Sequence, residues 1–127
     1  MEKQIISTES APKAIGPYSQ AVVFGELIFT SGQLPMDPAA GKLIDGDIKA
    51  ATAQVIKNIR AILHEAGSSL DKVLKATVYL KDMADFAAMN EVYTEFFGAD
   101  APPARTTFQV ARLPMDAMVE IDVIAGR

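Results

Sequence analysis

Pro102-Pro103-Ala104-Arg105-Thr106-Thr107-Phe108-Gln109-Val110, followed after one turn by Met118-Val119-Glu120-Ile121-Asp122-Val123, decides how this chain is read. Apolar residues recur at every second position in both segments, the period of a β-strand, and the pair is expected to close the fold as a hairpin. Phe108 and Val110 share one face of the first strand; Val119, Ile121 and Val123 share one face of the second. That leaves Arg105, Thr107 and Gln109 on a polar face, and Glu120 with Asp122 on another. Desolvating a charge without a partner is costly, so a charged residue in a sheet needs a reason. One reason is an exposed sheet face or a structural arginine–carboxylate pair. The other is a cleft in which a guanidinium holds an anion and a carboxylate handles a proton.

Working back from there, Asp82 is expected to cap a helix whose apolar stripe is Met83, Phe86, Met89, Tyr93, Phe96 and Phe97, with Gly98 as its stop. Asn90 lies four residues after Phe86 and three before Tyr93, near the inward face, where an amide needs hydrogen-bond partners. Before it, Leu74, Ala76, Val78 and Leu80 alternate with Lys75, Thr77, Tyr79 and Lys81, a strand with one buried face. Ala51, Val55, Ile59, Ile62, Leu63 and Ala66 step at helical spacing from Ile48, with Asp47 as N-cap and Gly67 as the stop. His64, the only histidine, sits at that helix end and has no second histidine or cysteine with which to build a metal site.

Further back, Ser19 to Phe24 and Leu27 to Ser31 flank Gly25-Glu26, which fits a tight hairpin turn with a leading glycine. Gly32 follows, permitting either a bulge or the close approach of a ligand or another backbone. Gly16-Pro17-Tyr18 forms a corner that aims the aromatic ring in a fixed direction. Gln4-Ile5-Ile6 is read as a short first strand. Strands and two helices alternate so that all strands can share one sheet with both helices on one face, an α+β domain.

The chain has 127 residues, which allows one domain spanning positions 1–127 and no second core. Half of its residues are hydrophobic, which suggests that the uncovered sheet face is buried against another subunit. Net charge is -4 and the 12 basic residues are scattered, which disfavours a nucleic-acid partner. There is no cysteine, so thiolate nucleophiles, disulfides and cysteine-ligated metals are excluded together. The N-terminus lacks a signal-peptide pattern and no apolar run reaches membrane-spanning length; a soluble cytoplasmic protein is expected. No phosphate loop, Ser/His/Asp arrangement or metal-spaced cluster occurs.

Five motifs then coincide in order and spacing: Ile15-Gly16-Pro17-Tyr18-Ser19-Gln20-Ala21, Thr30-Ser31-Gly32-Gln33-Leu34-Pro35, Val78-Tyr79-Leu80-Lys81-Asp82-Met83, Pro103-Ala104-Arg105 and Ile121-Asp122-Val123-Ile124-Ala125. Together they resemble the RidA (YjgF-type) reactive-intermediate deaminases, over nearly the whole chain. The resemblance implies a chorismate-mutase-like α+β fold assembled as a homotrimer, with a cleft at each subunit interface. It implies hydrolysis of 2-imino acids such as 2-iminopropanoate and 2-iminobutanoate to 2-oxo acids and ammonia, with neither cofactor nor metal. By position, Arg105 corresponds to the arginine that grips the substrate carboxylate, and Glu120 to the acid near the attacking water. Tyr18, Ser31, Gly32 and Asn90 match positions lining the same cleft. Thr107 departs from the cysteine that many bacterial members carry, leaving backbone groups at that position to contact substrate. Two alternatives stay open: a non-catalytic module binding small 2-oxo or amino acids, and a ribonuclease or translation inhibitor, against which the low pI speaks.

Overall fold

A computed structural model describes residues 2–127. In chain order the regular elements are β1 (Gln4–Ile6), β2 (Ala21–Phe24), β3 (Leu27–Thr30), β4 (Met36–Asp37), β5 (Lys42–Leu43), α1 (Ile48–Glu65), β6 (Val73–Leu80), α2 (Phe86–Phe97), β7 (Ala104–Gln109) and β8 (Val119–Gly126). Six strands form one sheet in the order β1-β2-β3-β8-β6-β7, while β4 and β5 pair separately as a small ribbon. The chain is thus an α+β domain of the expected kind, with the ribbon as an addition.

The closing segments do not form the expected hairpin. β7 pairs in parallel with β6, Arg105 opposite Ala76 and Phe108 opposite Tyr79. β8 instead runs antiparallel to both β6 and β3, so that β6 separates the two segments that sequence periodicity joined. The reason is topological. A parallel pair needs a crossover, which α2 supplies, and this puts β7 at the sheet edge. The link through residues 110–118 then carries the chain back past β6 into the slot between β6 and β3.

Both helices cover one face. Asp47 caps α1 by accepting from the backbone N–H of Ala50 at 2.9 Å, and Gly67 ends it at a positive φ of 79°. Val55, Ile56, Ile59, Ile62 and Leu63 are fully buried against Val23, Ile28, Val78 and Ile121 of the sheet. Each such side chain contributes about 1.5–3 kcal/mol through burial. Asp82 caps only a short 3₁₀ turn, Met83–Asp85, before α2 begins at Phe86, and Met83 remains exposed.

The other sheet face is bare and apolar along one side. The pairings Ile5–Val22, Val22–Phe29 and Phe29–Ile124 place these residues in one row across it. Phe29 is 41% exposed and Ile5 56%. One expectation of burial also fails here. A bulge between Val73 and Lys75 turns Val73 inward and leaves Leu74 exposed. On β7 it is Arg105 and Thr107 that face the helices, while Phe108 stands on the bare face with its ring edge-on to Tyr79 at 5.3 Å.

Candidate functional site

Arg105 is held on the helix side. Alternation along β6 buries Ala76, and Arg105 stands beside it. The guanidinium donates from Nη1 to the Asn90 carboxamide oxygen at 2.8 Å. Its carbon lies 4.6 Å from the centroid of the Tyr93 ring and 5.5 Å from that of Phe86. Phe86, Asn90 and Tyr93 recur at the i, i+4, i+7 spacing of a helix face, so one stripe of α2 supplies both rings and the amide. The rings fix the guanidinium plane by cation–π attraction. A hollow of about 350 Å³ opens beside it, walled by Asn90, Tyr93, Thr94, Pro102 and Pro103. Helical spacing alone places Phe86 and Tyr93 in the apolar stripe; the signal in the sequence that marks them as more is Asn90 standing between them.

Glu120 stands on the bare side. It pairs with Tyr79, three residues along β6 from Ala76 and therefore on the opposite face from Arg105. A larger cleft of about 470 Å³ opens here, with Ile15, Tyr18, Ser31, Gly32, Met115 and Glu120 in its wall. Burial, reinforced by the nearby Asp122 carboxylate, pushes the Glu120 pKa up. Asp122 is itself engaged, accepting from the Tyr79 hydroxyl at 2.8 Å. Burial and that contact raise Tyr79 to about 12, so it donates as a neutral phenol throughout the working range.

Buried amides set the walls of this cleft. Gln20 donates from Nε2 to the carbonyl of Pro12 at 2.8 Å and to that of Thr8 at 3.0 Å, and accepts from the N–H of Thr8 at 2.7 Å. This staples the loop that carries Ile15 and Tyr18. Asn58 on α1 donates to the carbonyls of Leu34 and Met36, at 3.2 and 2.9 Å, fixing the opposite wall. Met115 and Asp116 adopt left-handed φ values of 58° and 57°, and the bend swings Met115 over the cleft. Two successive non-glycine residues there store about 1–3 kcal/mol of strain each. The Ser31 hydroxyl is committed to the Ser19 carbonyl, leaving only its lone pairs to the cleft.

The expected site residues therefore fall into two groups. Tyr18, Ser31, Gly32 and Glu120 line one cleft; Arg105 and Asn90 line the other, with Thr107 two residues along the same face of β7. Within one subunit the sheet stands between them. Among the described residues no group of three His, Cys, Asp or Glu side chains is placed to hold a metal ion. Nor, among them, is any helix long and apolar enough to cross a membrane.

Residues 8–126 match the family model described as Endoribonuclease L-PSP. A RutC family protein from Pyrococcus abyssi is 57% identical over 98% of both chains. The chloroplastic Reactive Intermediate Deaminase A of Arabidopsis thaliana is 45% identical, over 98% of this chain and 66% of that protein. The crystal structure of E. coli TdcF with bound serine superposes with a TM-score of 0.93 at 44% identity, over 98% of both chains. Five motifs in register, the helix-backed sheet and these matches converge: the chain belongs to the Endoribonuclease L-PSP family, the RidA (YjgF-type) proteins.

Proposed function

We propose that this protein hydrolyses reactive 2-imino acids, of the size of 2-iminopropanoate and 2-iminobutanoate, to 2-oxo acids and ammonia. The work is done in clefts that form when the Glu120 side of one subunit meets the Arg105 side of the next in a homotrimer. The observation that carries this reading is the separation of Arg105 and Glu120 by the sheet, together with an apolar bare face suited to a second copy. One subunit holds two incompatible halves; a ring of subunits joins them.

The chemistry follows from the groups present. Arg105, with Nη1 taken by Asn90, keeps its remaining N–H groups for a substrate carboxylate, which a planar guanidinium meets in a bidentate fork. Anchoring the carboxylate places the imine carbon beside a water held by Glu120. Glu120 accepts a proton as the water oxygen bonds to that carbon, and the C=N π pair moves to nitrogen, which takes up a proton. The carbinolamine nitrogen takes a second proton, returned from Glu120, and leaves as ammonia as the C–N bond breaks; the hydroxyl oxygen forms the new C=O and passes its proton to Glu120, leaving the 2-oxo acid. Imines already hydrolyse in water, so positioning and one proton relay are sufficient machinery. The apolar wall of Ile15 and Met115 suits the substrate's alkyl end.

A second reading, binding of small amino or oxo acids without turnover, is favoured by the serine bound to TdcF. A coupled assay separates the two. A pyridoxal-phosphate dehydratase generates 2-aminoacrylate from serine, and release of the 2-oxo acid is timed with and without this protein. Faster release with the wild type, and buffer-like release with Arg105→Ala, are expected. Wild-type-like clearance by Arg105→Ala, or no acceleration by the wild type, overturns the hydrolytic reading.

A further inference from the structure

Gly32 stands at a bulge. Between the pairs Phe29–Ile124 and Gln33–Ile121, three residues on the β3 side oppose two on β8. The ladder resumes with the Gln33 N–H donating to the Ile121 carbonyl at 2.8 Å and the return bond at 3.2 Å. A bulge re-aims the residues it contains, and here it brings the Gly32 backbone under the Glu120 side chain. A β-carbon on Gly32 would lie 2.7 Å from Cδ and 3.0 Å from Cγ of Glu120, and closer still to Oε2. Gly32 does not use the left-handed φ region. Backbone freedom is therefore not the reason for glycine here. Space for the glutamate is.

We propose that Gly32 is a positioning residue: the space its missing side chain leaves is the seat in which the Glu120 carboxylate lies, and the seat fixes that carboxylate toward the cleft. This reassigns Gly32 from a wall contact for substrate to a group that acts through Glu120, and it rests on the proposed role of Glu120 in holding the water. The short distances from that β-carbon position to the Glu120 side chain support the seat, whereas a glycine serving only the substrate would leave its Cβ direction open, as Gly41 and Gly67 do. The obstructing atoms belong to the end of a flexible side chain, so alanine at position 32 displaces Glu120 and leaves the backbone in place.

The test is a four-protein cycle: wild type, Gly32→Ala, Glu120→Ala and the double variant, each assayed with dehydratase-generated 2-aminoacrylate and each melted. Gly32→Ala is expected to lower kcat about 10- to 100-fold with KM within about twofold, because misplacing a water-holding group by about 1 Å costs rate on that scale. In the Glu120→Ala background, where nothing occupies the seat, the same substitution changes kcat less than about twofold, the non-additivity of two groups acting as one. Thermal midpoints run in parallel: Gly32→Ala lowers the midpoint in the wild type and leaves it unchanged in Glu120→Ala. Equal effects of Gly32→Ala in both backgrounds, or wild-type kcat in the single variant, overturn the seat. Wild-type rates in Glu120→Ala would instead overturn the proposed function of Glu120 itself.

Discussion

Arg105 and Glu120 are both charged residues on sheet strands, yet the chain treats them in opposite ways. Arg105 is clamped within its own subunit: two rings of α2 bracket the guanidinium and Asn90 fixes one nitrogen. Glu120 lies in a wide cleft, and its raised pKa follows from burial and a like charge, with no hydrogen bond to lower it. The difference teaches how the proposed site, divided between two subunits, would work. A binding group must be rigid before the substrate arrives, since ordering it later would cost affinity. A proton-handling group works best with its pKa moved toward the operating pH, and a partly desolvated carboxylate next to another acid provides this. The Arg105 half should therefore report mainly in KM and the Glu120 half mainly in kcat.

The most severe break removes the partner subunit that the proposed site requires. Phe29→Asp puts a charge in the middle of the apolar row on the bare face. If that face is covered by another subunit, an uncompensated buried charge there costs about 3–5 kcal/mol. Sedimentation should then show monomers, and imine clearance should fall to the buffer rate; a Phe29→Asp trimer with normal activity would refute the arrangement. Next comes complementation. Arg105→Ala and Glu120→Ala are each expected to lose about 10²–10³-fold in kcat/KM. Co-expressed in one trimer they should recover activity, because about a quarter of randomly assembled interfaces would pair an intact Arg105 with an intact Glu120. Absence of recovery in verified mixed trimers would overturn the shared cleft.

Glu120→Gln sharpens the second half. It is expected to lower kcat about 10- to 100-fold, with KM nearly unchanged. Its stability effect has the opposite sign. A carboxyl whose folded pKa lies above its unfolded value binds its proton more tightly when folded, so its contribution is present at low pH and lost as pH rises through the raised pKa. Glutamine has no such penalty. The variant should melt higher than wild type near neutral pH, with the gap closing as pH falls below the ordinary glutamate range. A variant less stable than wild type at pH 7 would contradict the direction of the shift.

How much of this was legible in the sequence depends on whether a signal was local. Asp47, Gly67 and Gly98 marked the helix ends because caps and left-handed stops are set by neighbouring atoms. The hairpin reading of β7 and β8 failed because alternation reports which faces a strand has, not which strand it pairs with. Leu74 was placed on the buried face by the same limit, because it lies in a bulge that alternation does not report. The roles of the expected site residues rested on the family resemblance, and their division between two faces of the sheet appears only once the β6 register is known. Tyr93 and Phe86 looked like ordinary core residues because an aromatic ring that packs and one that clamps a guanidinium share the same spacing.

Two milder substitutions probe how finished the Arg105 half is. Asn90→Ala removes the amide that α2 places against the guanidinium, and one charge-assisted bond is worth about 1.5–3 kcal/mol. KM should rise about 5- to 50-fold with kcat within about threefold; a pure kcat loss would move Asn90 into the proton relay. The smallest effect concerns Thr107. Its Oγ1 and the Tyr93 hydroxyl are the buried side-chain polar atoms without a partner among the described residues. A hydroxyl left unsatisfied weakens the fold, so Thr107→Val, which keeps the shape and removes the donor, should add about 1 kcal/mol of stability. If substrate meets only the backbone at this position, kcat/KM stays within about twofold, and a cysteine there would serve as well as threonine. A gain in stability accompanied by a tenfold rise in KM would show that the hydroxyl is held in reserve for the ligand, and would extend the Arg105 half two residues further along β7.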